Sequence, residues 1–200
     1  MAILLLDMYN QTINQIQRMK AICIIAHPDD CIIYARPLIE ATPSIEWTIM
    51  YMTHKKNNLR GMEVANYWKD KHLIFLEHND DYSDHVLGRT KIPIKVVRKQ
   101  IETIIHNYDI LLTHGPDGEY GHIHHKLVNT ITNDLDIFKV VFSNSPNLTV
   151  EAKPLDLDSL PFHRWAIEHH YDDFGRHGKY YIKVDSSHNH HEALIDAITR

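Results

Sequence analysis

The sequence lacks a long apolar run. None approaches the roughly 20 residues that cross a bilayer as a helix. The apolar patch near the N-terminus, AILLL at 2–6, has no basic stretch before it and no small-residue cleavage site after it. These absences argue against a membrane-spanning protein and against a secretory signal peptide, so we expect a soluble, cytoplasmic protein without a membrane anchor.

Cysteine and positive charge are also scarce. The 200 residues contain two cysteines, Cys23 and Cys31, which argues against a disulfide scaffold and fits a reducing compartment. The net charge is −5, and no basic run extends beyond HKKNNLR and RTKIPIKVVRK. Nucleic acid and anionic membrane surfaces are therefore not expected as the main partners.

Histidine, by contrast, is abundant. The apolar content of 44% and the charged content of 24% are ordinary for a globular protein, and the length favours one domain over residues 1–200. The 17 histidines are the unusual number. Because histidine binds metals and titrates near neutral pH, the positions of these residues decide what they mean.

Six short runs predict β-strands that are covered on both faces, because each is apolar nearly throughout instead of alternating. Four segments with helical spacing lie between them, at 31–42, 60–70, 94–108 and 124–135. This alternation predicts an α/β fold, a Rossmann-like three-layer sandwich with a mainly parallel sheet and helices on both faces. The predicted strands are 20–26, 46–53, 72–77, 108–114, 138–143 and 180–184.

The C-terminal part shows weaker patterns. Residues 143–165 hold three prolines and little periodicity, which predicts a long surface excursion that could cover a site. The last fifteen residues, SSHNHHEALIDAITR, predict a capped terminal helix.

Two chemically dense segments follow predicted strands directly. HPDD comes after the strand at 20–26, and HGPDGEYGHIHH begins at the end of the strand at 108–114. Ligands of open α/β sheets gather outside the C-terminal ends of strands. We therefore expect both segments to belong to one site.

The residue types in these segments indicate a divalent cation. Adjacent carboxylates at Asp29 and Asp30 repel each other unless a positive charge lies beside them. His122 and His125 would share one face of a helix that begins near Gly121, with His124 facing away. A site of two histidines and one carboxylate would form from His27, Asp30 and either His122 or His125. One position of the cation would be left open, which is the catalytic zinc pattern.

The two segments together resemble a known family. AHPDDC and THGPDGEYGHIHHKLV are similar to the two signatures of the LmbE-like (PIG-L) zinc-dependent N-acetylglucosamine deacetylases, A-H-P-D-D-E and T-H-G-x-x-G-E-Y-G-H-x-x-H. NNLRGMEVANYW, with Arg60 and Glu63, resembles the R-x-x-E helix between them. The resemblance runs from about residue 20 to residue 130.

The resemblance implies a function and a set of site residues. The expected reaction removes the N-acetyl group from an N-acetylglucosamine-type sugar, small or conjugated, through a water molecule activated by Zn²⁺, with Fe²⁺ as the other cation considered. Its implied residues are the metal ligands His27, Asp30 and His125, the general base Asp29, the charged or proton-donating His122 and the substrate-binding Arg60.

Some roles around this scheme stay open. Cys31 stands where the family commonly has glutamate, which predicts altered hydrogen bonding and leaves a thiol that could compete for the metal. Glu119 is expected to orient a ligand histidine. EHNDDYSDH at 77–85 is expected to be a solvated loop, which its place at a strand end allows to border the pocket. A C-terminal side chain could donate to an oxyanion, and the sequence does not choose among His169, His170, Tyr171 and His177.

Two other functions use the same residues. A non-haem iron oxygenase also binds its metal through two histidines and a carboxylate, although such enzymes have β-rich scaffolds and no role for Asp29. A descendant of the fold could bind a sugar or a metal without turnover, but it would not need Asp29 and His122. The number of subunits is not determined by the sequence, and a homo-oligomer is left open.

Overall fold

The computed structural model describes residues 19–143, 148–151, 153–168 and 179–184. Seven strands in these ranges form one sheet in the order β3-β2-β1-β4-β5-β7-β6. The strands are β1 (Lys20–Ile25), β2 (Glu46–Thr53), β3 (His72–His78), β4 (Ile110–Thr113), β5 (Phe138–Phe142), β6 (Leu148–Glu151) and β7 (Lys179–Val184).

The predicted fold class is confirmed. Strands β1 to β5 pair in parallel, while β7 pairs antiparallel with β5 and β6 antiparallel with β7. All six predicted strands are present. The sheet is therefore mainly parallel, with an antiparallel extension at one edge.

Helices connect the parallel strands. The π-helical turn Cys31–Ala35 runs into α1 (Arg36–Ala41) before β2, and α2 (Leu59–Tyr67) precedes β3. No helix among the described residues is both long and apolar enough to cross a bilayer. The remaining helices are α3 (Tyr82–Leu87), α4 (Ile94–Glu102), α5 (Ile123–Thr132) and the short 3-10 turns Ile105–Asn107 and Leu157–Ser159.

Two apolar layers cover the sheet. Ala21, Cys23 and Ile25 of β1 belong to the layer formed with the segment from the π-helical turn to α1 and with α2. Ile22 and Ile24, between them, belong to the layer formed with α4 and α5. Because successive side chains of a strand point to opposite faces, both sets are buried, which explains why the strands are apolar throughout.

The segment at 143–165 was predicted to be a surface excursion, and that prediction is wrong in part. Its residues Leu148–Glu151 form β6, whose backbone pairs with β7. Later in the segment, Leu160 and His163 are buried. The prolines around LTVE obscured a short strand of only four residues at the edge of the sheet. The predicted terminal helix and the N-terminal patch lie outside the described residues.

The strand order reverses direction between β1 and β4. From β1 the chain moves outward to β2 and β3, and it then returns to add β4 on the other side of β1. Ile24 of β1 is the register partner of Thr113 of β4, so the two predicted motif segments leave the sheet side by side. This is the switch point where ligands of open α/β sheets bind.

Gly61 in α2 gives a test of the packing beside this edge. A methyl group at this position would overlap the backbone carbonyl of Lys55. Gly61→Ala should lower the free energy of unfolding by about 1–3 kcal/mol, because overpacking against backbone outweighs the gain in helix propensity of about 1 kcal/mol. Chemical denaturation measures the change. Met62→Ala, at an exposed neighbour, is the control, and equal stability of both variants would contradict the packing.

Candidate metal centre

The first motif segment turns sharply after β1 and is buried. Thr53 of β2 donates from its backbone N–H and its hydroxyl to the carbonyl of Ala26, at 2.9 and 2.7 Å. One residue later, the backbone N–H of His27 donates to Oδ2 of Asp30 at 2.7 Å. The turn therefore fixes the carboxylate of Asp30 against the residue that begins the motif.

The second motif segment begins α5. His122 is the N-cap of the helix, with an extended backbone, and its Nδ1 accepts from the backbone N–H of His124 at 3.2 Å. The helix itself starts at Ile123. His124 and His125 lie in the first turn and are buried.

Three predicted metal ligands converge. Nδ1 of His27 lies 3.3 Å from Oδ2 of Asp30 and 3.3 Å from Nε2 of His125, and that Nε2 lies 3.2 Å from Oδ1 of Asp30. Bonds of about 2.0–2.2 Å to a tetrahedral cation put its donor atoms roughly 3.3–3.5 Å apart. The spacing of these side chains fits a zinc-sized cation.

Glu119 determines which atom of His125 faces this group. Its Oε2 lies 2.6 Å from Nδ1 of His125 and 2.9 Å from Nδ1 of His114, and its Oε1 accepts from the backbone N–H of Gly115 at 2.9 Å. A proton on Nδ1 of His125 leaves the lone pair of Nε2 directed at Asp30. The expected contact of Glu119 with a candidate ligand histidine is present, and its role in metal binding stays a prediction.

Electrostatics keep both carboxylates ionised. Burial alone would raise the pKa of Asp30, but His125, His114 and His27 surround this carboxyl and lower its pKa well below the usual value. Burial also opposes ionisation of Glu119, whose pKa is nevertheless lowered to about 2 by its two histidine partners. Asp30 and Glu119 are therefore ionised, which is the form of a carboxylate that binds a cation or supports its ligand.

The pKa of His122 moves the other way. Burial, together with the nearby His27 and His125, lowers its pKa to about 2. The ring is thus neutral at neutral pH. Because its Nδ1 accepts a hydrogen bond, the single ring proton sits on Nε2. Of the two forms predicted, the proton-donating one fits the resting protein and the charged one does not.

Asp29 and Arg60 form an ion pair at the rim of the site. Arg60 donates from Nη2 to Oδ1 of Asp29. Arg60 lies in the first turn of α2, which Asn58 caps by accepting from the backbone N–H of Gly61 at 2.7 Å. The arginine is therefore held against the predicted base.

Comparison with known proteins places the chain in a family. Residues 22–135 match the sequence model of PIG-L, described as GlcNAc-PI de-N-acetylase. The chain belongs to the PIG-L family. An uncharacterised protein of Acanthamoeba polyphaga mimivirus is 28% identical over 141 residues, which are 62% of this chain and 58% of that protein. The chain thus spans little more than half of the length of this relative.

Solved structures share the fold at low identity. The 4-carboxy-2-hydroxymuconate hydratase GalB of Pseudomonas putida has a TM-score of 0.55 and 10% identity, covering 85% of this chain and 97% of that one. A triple mutant of a deacetylase from the teicoplanin biosynthetic pathway has a TM-score of 0.51 and 11% identity, covering 85% and 100%. A hydratase and a deacetylase share this fold, so the fold alone does not assign the reaction.

Three residues of this PIG-L member were missed or misplaced by the sequence interpretation. His124 was expected to face away, but its Nδ1 lies 3.2 Å from Nε2 of His27. That expectation assumed a helix running from Gly121, whereas His122 is non-helical and lets three histidines turn inward. Asp80, predicted to lie in a solvated loop, reaches His27, His54 and His124 at 3.6, 3.2 and 3.4 Å.

His114 was the third. The sequence interpretation gave it no role in the site, whereas its Nε2 accepts from the backbone N–H of Ala26 at 3.1 Å. The same nitrogen lies 3.3 Å from Oδ2 of Asp30, and Nδ1 faces Glu119. His114 therefore stacks beside His125, with ring centroids 3.9 Å apart, as part of the support of the centre.

The C-terminal segment approaches the site through His163. Glu63, one turn after Arg60 in α2, accepts from the backbone N–H groups of Phe162 and His163 at 2.9 and 3.0 Å and contacts Nδ1 of His163. This imidazole is buried. His169, His170, Tyr171 and His177, the predicted oxyanion donors, lie outside the described residues.

Cys31 marks the departure from the PIG-L signature, and its thiol points away from the cation group. The thiol donates to the carbonyl of Pro28 at 3.0 Å, and the sulfur accepts from Nε1 of Trp68 at 3.1 Å and from the hydroxyl of Tyr51 at 3.3 Å. No group of metal-binding side chains found among the described residues includes it. Competition of this thiol for the metal is therefore not supported.

Burial predicts that neither cysteine reacts in the folded protein. Cys23 and Cys31 are both fully buried, and burial raises the pKa of Cys31 to about 12. A disulfide reagent such as DTNB should release no more than a trace of thiolate at pH 8 from the native chain, and two equivalents after denaturation. Rapid labelling of one thiol in the native chain would contradict this placement of Cys31.

Proposed function

We propose that the protein is a metal-dependent amidohydrolase that removes the N-acetyl group from an N-acetylglucosamine-type sugar or conjugate. Membership of the PIG-L family supports a deacetylase-type function. The observation that carries the finer proposal is the convergence of His27, Asp30 and His125 on one point, with the carboxylate of Asp29 and the imidazole of His122 beside them.

His27, Asp30 and His125 would hold the cation. Two imidazole nitrogens and one carboxylate form a donor set that suits Zn²⁺, with Fe²⁺ as the alternative. When bound, such a cation supplies Lewis acidity and lowers the pKa of water. Glu119 keeps the lone pair of His125 directed inward, and the surrounding histidines keep Asp30 ionised.

Asp29 would accept the proton of the attacking water. It lies next to Asp30 in the chain but on the side of Arg60, so its oxygen atoms are not consumed by the metal group. The guanidinium of Arg60 contacts Oδ1 and so orients the carboxylate. Arg60, with its side chain 29% exposed, would also contact the substrate, as the family pattern implies.

His122 would donate a hydrogen bond from Nε2 to the oxygen that gains negative charge as water attacks the amide. A preorganised donor needs no net charge for this task. Its ring centroid lies 4.6 Å from that of His27 and 4.7 Å from that of His125. The departing amine can take the proton that Asp29 accepted from the attacking water.

The alternatives receive less support from this site. A facial-triad oxygenase would leave the Asp29–Arg60 pair without a task, and a mere binder would not need a neutral donor at His122. Cytoplasmic location, a single domain over residues 1–200, the choice between Zn²⁺ and Fe²⁺, and the number of subunits stay predictions.

The reaction is tested by acetate release from a panel of N-acetylglucosamine derivatives. Metal-stripped protein should become active when Zn²⁺ is added, and Asp29→Asn should lower turnover by about 10²–10⁴-fold, because it removes the general base. The zinc content of this variant should equal that of the wild type. Asp134→Asn, at an exposed position, is the matched control. Undiminished acetate release by Asp29→Asn would rule out the assigned base.

The support by Glu119 is tested through metal affinity. Glu119→Gln should weaken Zn²⁺ binding by about 10–100-fold, because a neutral amide no longer fixes the protonation of His125. Competition with a chromophoric chelator measures the affinity directly. Glu102→Gln, which alters a surface pair with Arg98, should leave the affinity unchanged. An unchanged affinity in Glu119→Gln would show that the ligand needs no such support.

A further inference from the structure

A second group of metal-binding atoms lies directly beside the first. Nε2 of His27 lies 3.2 Å from Nδ1 of His124 and 3.6 Å from Oδ1 of Asp80, and these last two atoms are 3.4 Å apart. The spacing is close to that of the first group, where the other nitrogen of His27 takes part. His27 thus presents each of its ring nitrogens to a separate group of donors.

Hydrogen bonds do not satisfy all three of these contacts. If Nε2 of His27 and Nδ1 of His124 both carry protons, the two hydrogens face each other. If only one of these two nitrogens carries a proton, the lone pair of the other faces the carboxylate oxygen of Asp80. A cation between the three atoms makes every contact favourable at once.

His122 completes the group. It offers a ring nitrogen within 4.8 Å of ligand atoms of His27 and His124. His27 and His124 are buried, while the side chain of Asp80 is 27% exposed and gives the group a path to solvent. Three imidazoles and one carboxylate favour Zn²⁺ or Co²⁺ over Mg²⁺ and Ca²⁺, which prefer oxygen ligands.

We propose that the protein binds a second divalent cation, of the Zn²⁺ class, through His27, His124, Asp80 and His122. His27 bridges the two cations and releases the proton of its Nε2 to solvent when the second one binds. The ring proton of His122 moves from Nε2 to Nδ1, which gives up the hydrogen bond from the backbone N–H of His124. The second cation is inhibitory, an inference that rests on the proposed function. It binds the nitrogen of His122 that the reaction requires as a hydrogen-bond donor.

A purely structural reading of the same contacts makes a different prediction. If Asp80 and His124 only orient His27 by accepting its proton, they raise the affinity of a single cation. The chain then binds one equivalent of Zn²⁺, and loss of Asp80 weakens that one site. The stoichiometry distinguishes the two readings.

The test is a Zn²⁺ titration of the metal-stripped full chain by calorimetry, with metal content measured after gel filtration. The wild type should bind two equivalents in two steps, and the second step should release a proton, visible as an enthalpy that depends on the buffer. Asp80→Asn and His124→Asn should each retain the first equivalent and lose the second. His72→Asn removes an exposed histidine from the opposite end of β3 and should bind two equivalents.

Activity at controlled zinc separates this inference from the proposed function. One equivalent of Zn²⁺ should support turnover, and the second should lower the turnover rate by about 10²-fold. Asp80→Asn should not show this inhibition. A single equivalent bound by an active wild type would overturn the second site and leave the hydrolase standing. The wild type could instead bind two equivalents, with each variant losing only the second, and yet show no turnover on any sugar. That result would keep the second site and count against the hydrolase.

Discussion

The parallel pairing of β1 with β4 is the constraint on which the site depends. These strands are neighbours in the sheet although the turn after β1 and the loop after β4 are almost ninety residues apart in the chain. Their hydrogen-bond register brings Ile24 level with Thr113, so that the two motif segments leave the sheet side by side. The backbone N–H of Ala26 then meets the imidazole of His114, and every later contact of the centre builds on that alignment.

The buried charge of Asp30 follows from the same constraint. A carboxylate beneath the surface would be costly if it stood alone. Here, three imidazoles from both strand ends enclose it, and Glu119 orders two of them. Glu119 does so from a left-handed backbone conformation, with a φ of 56°, which is unusual for a residue with a side chain. Local strain of this kind is commonly retained where a side chain has to be aimed accurately.

Much of this arrangement could be predicted from the sequence, and the rest could not for identifiable reasons. Continuous apolar runs give buried strands, and polar motifs at their ends give the position of the site. The side to which His124 turns depends on whether His122 is inside the helix, which spacing alone does not decide. The approach of Asp80 is a contact with a loop some fifty residues away, and β6 is too short to produce a periodic signal.

Glu63 links two parts of the molecule that the sequence keeps far apart. One turn of α2 carries both Arg60, which contacts Asp29, and Glu63, which holds Phe162 and His163 about one hundred residues later. Between β6 and this anchor, Arg36 donates to the carbonyl of Lys153 at 2.9 Å, while Asp156, Asp158 and Ser159 are exposed. Insertions or deletions there would change the rim of the site and leave its reactive centre intact, so that related chains could diverge in substrate choice without rebuilding their chemistry.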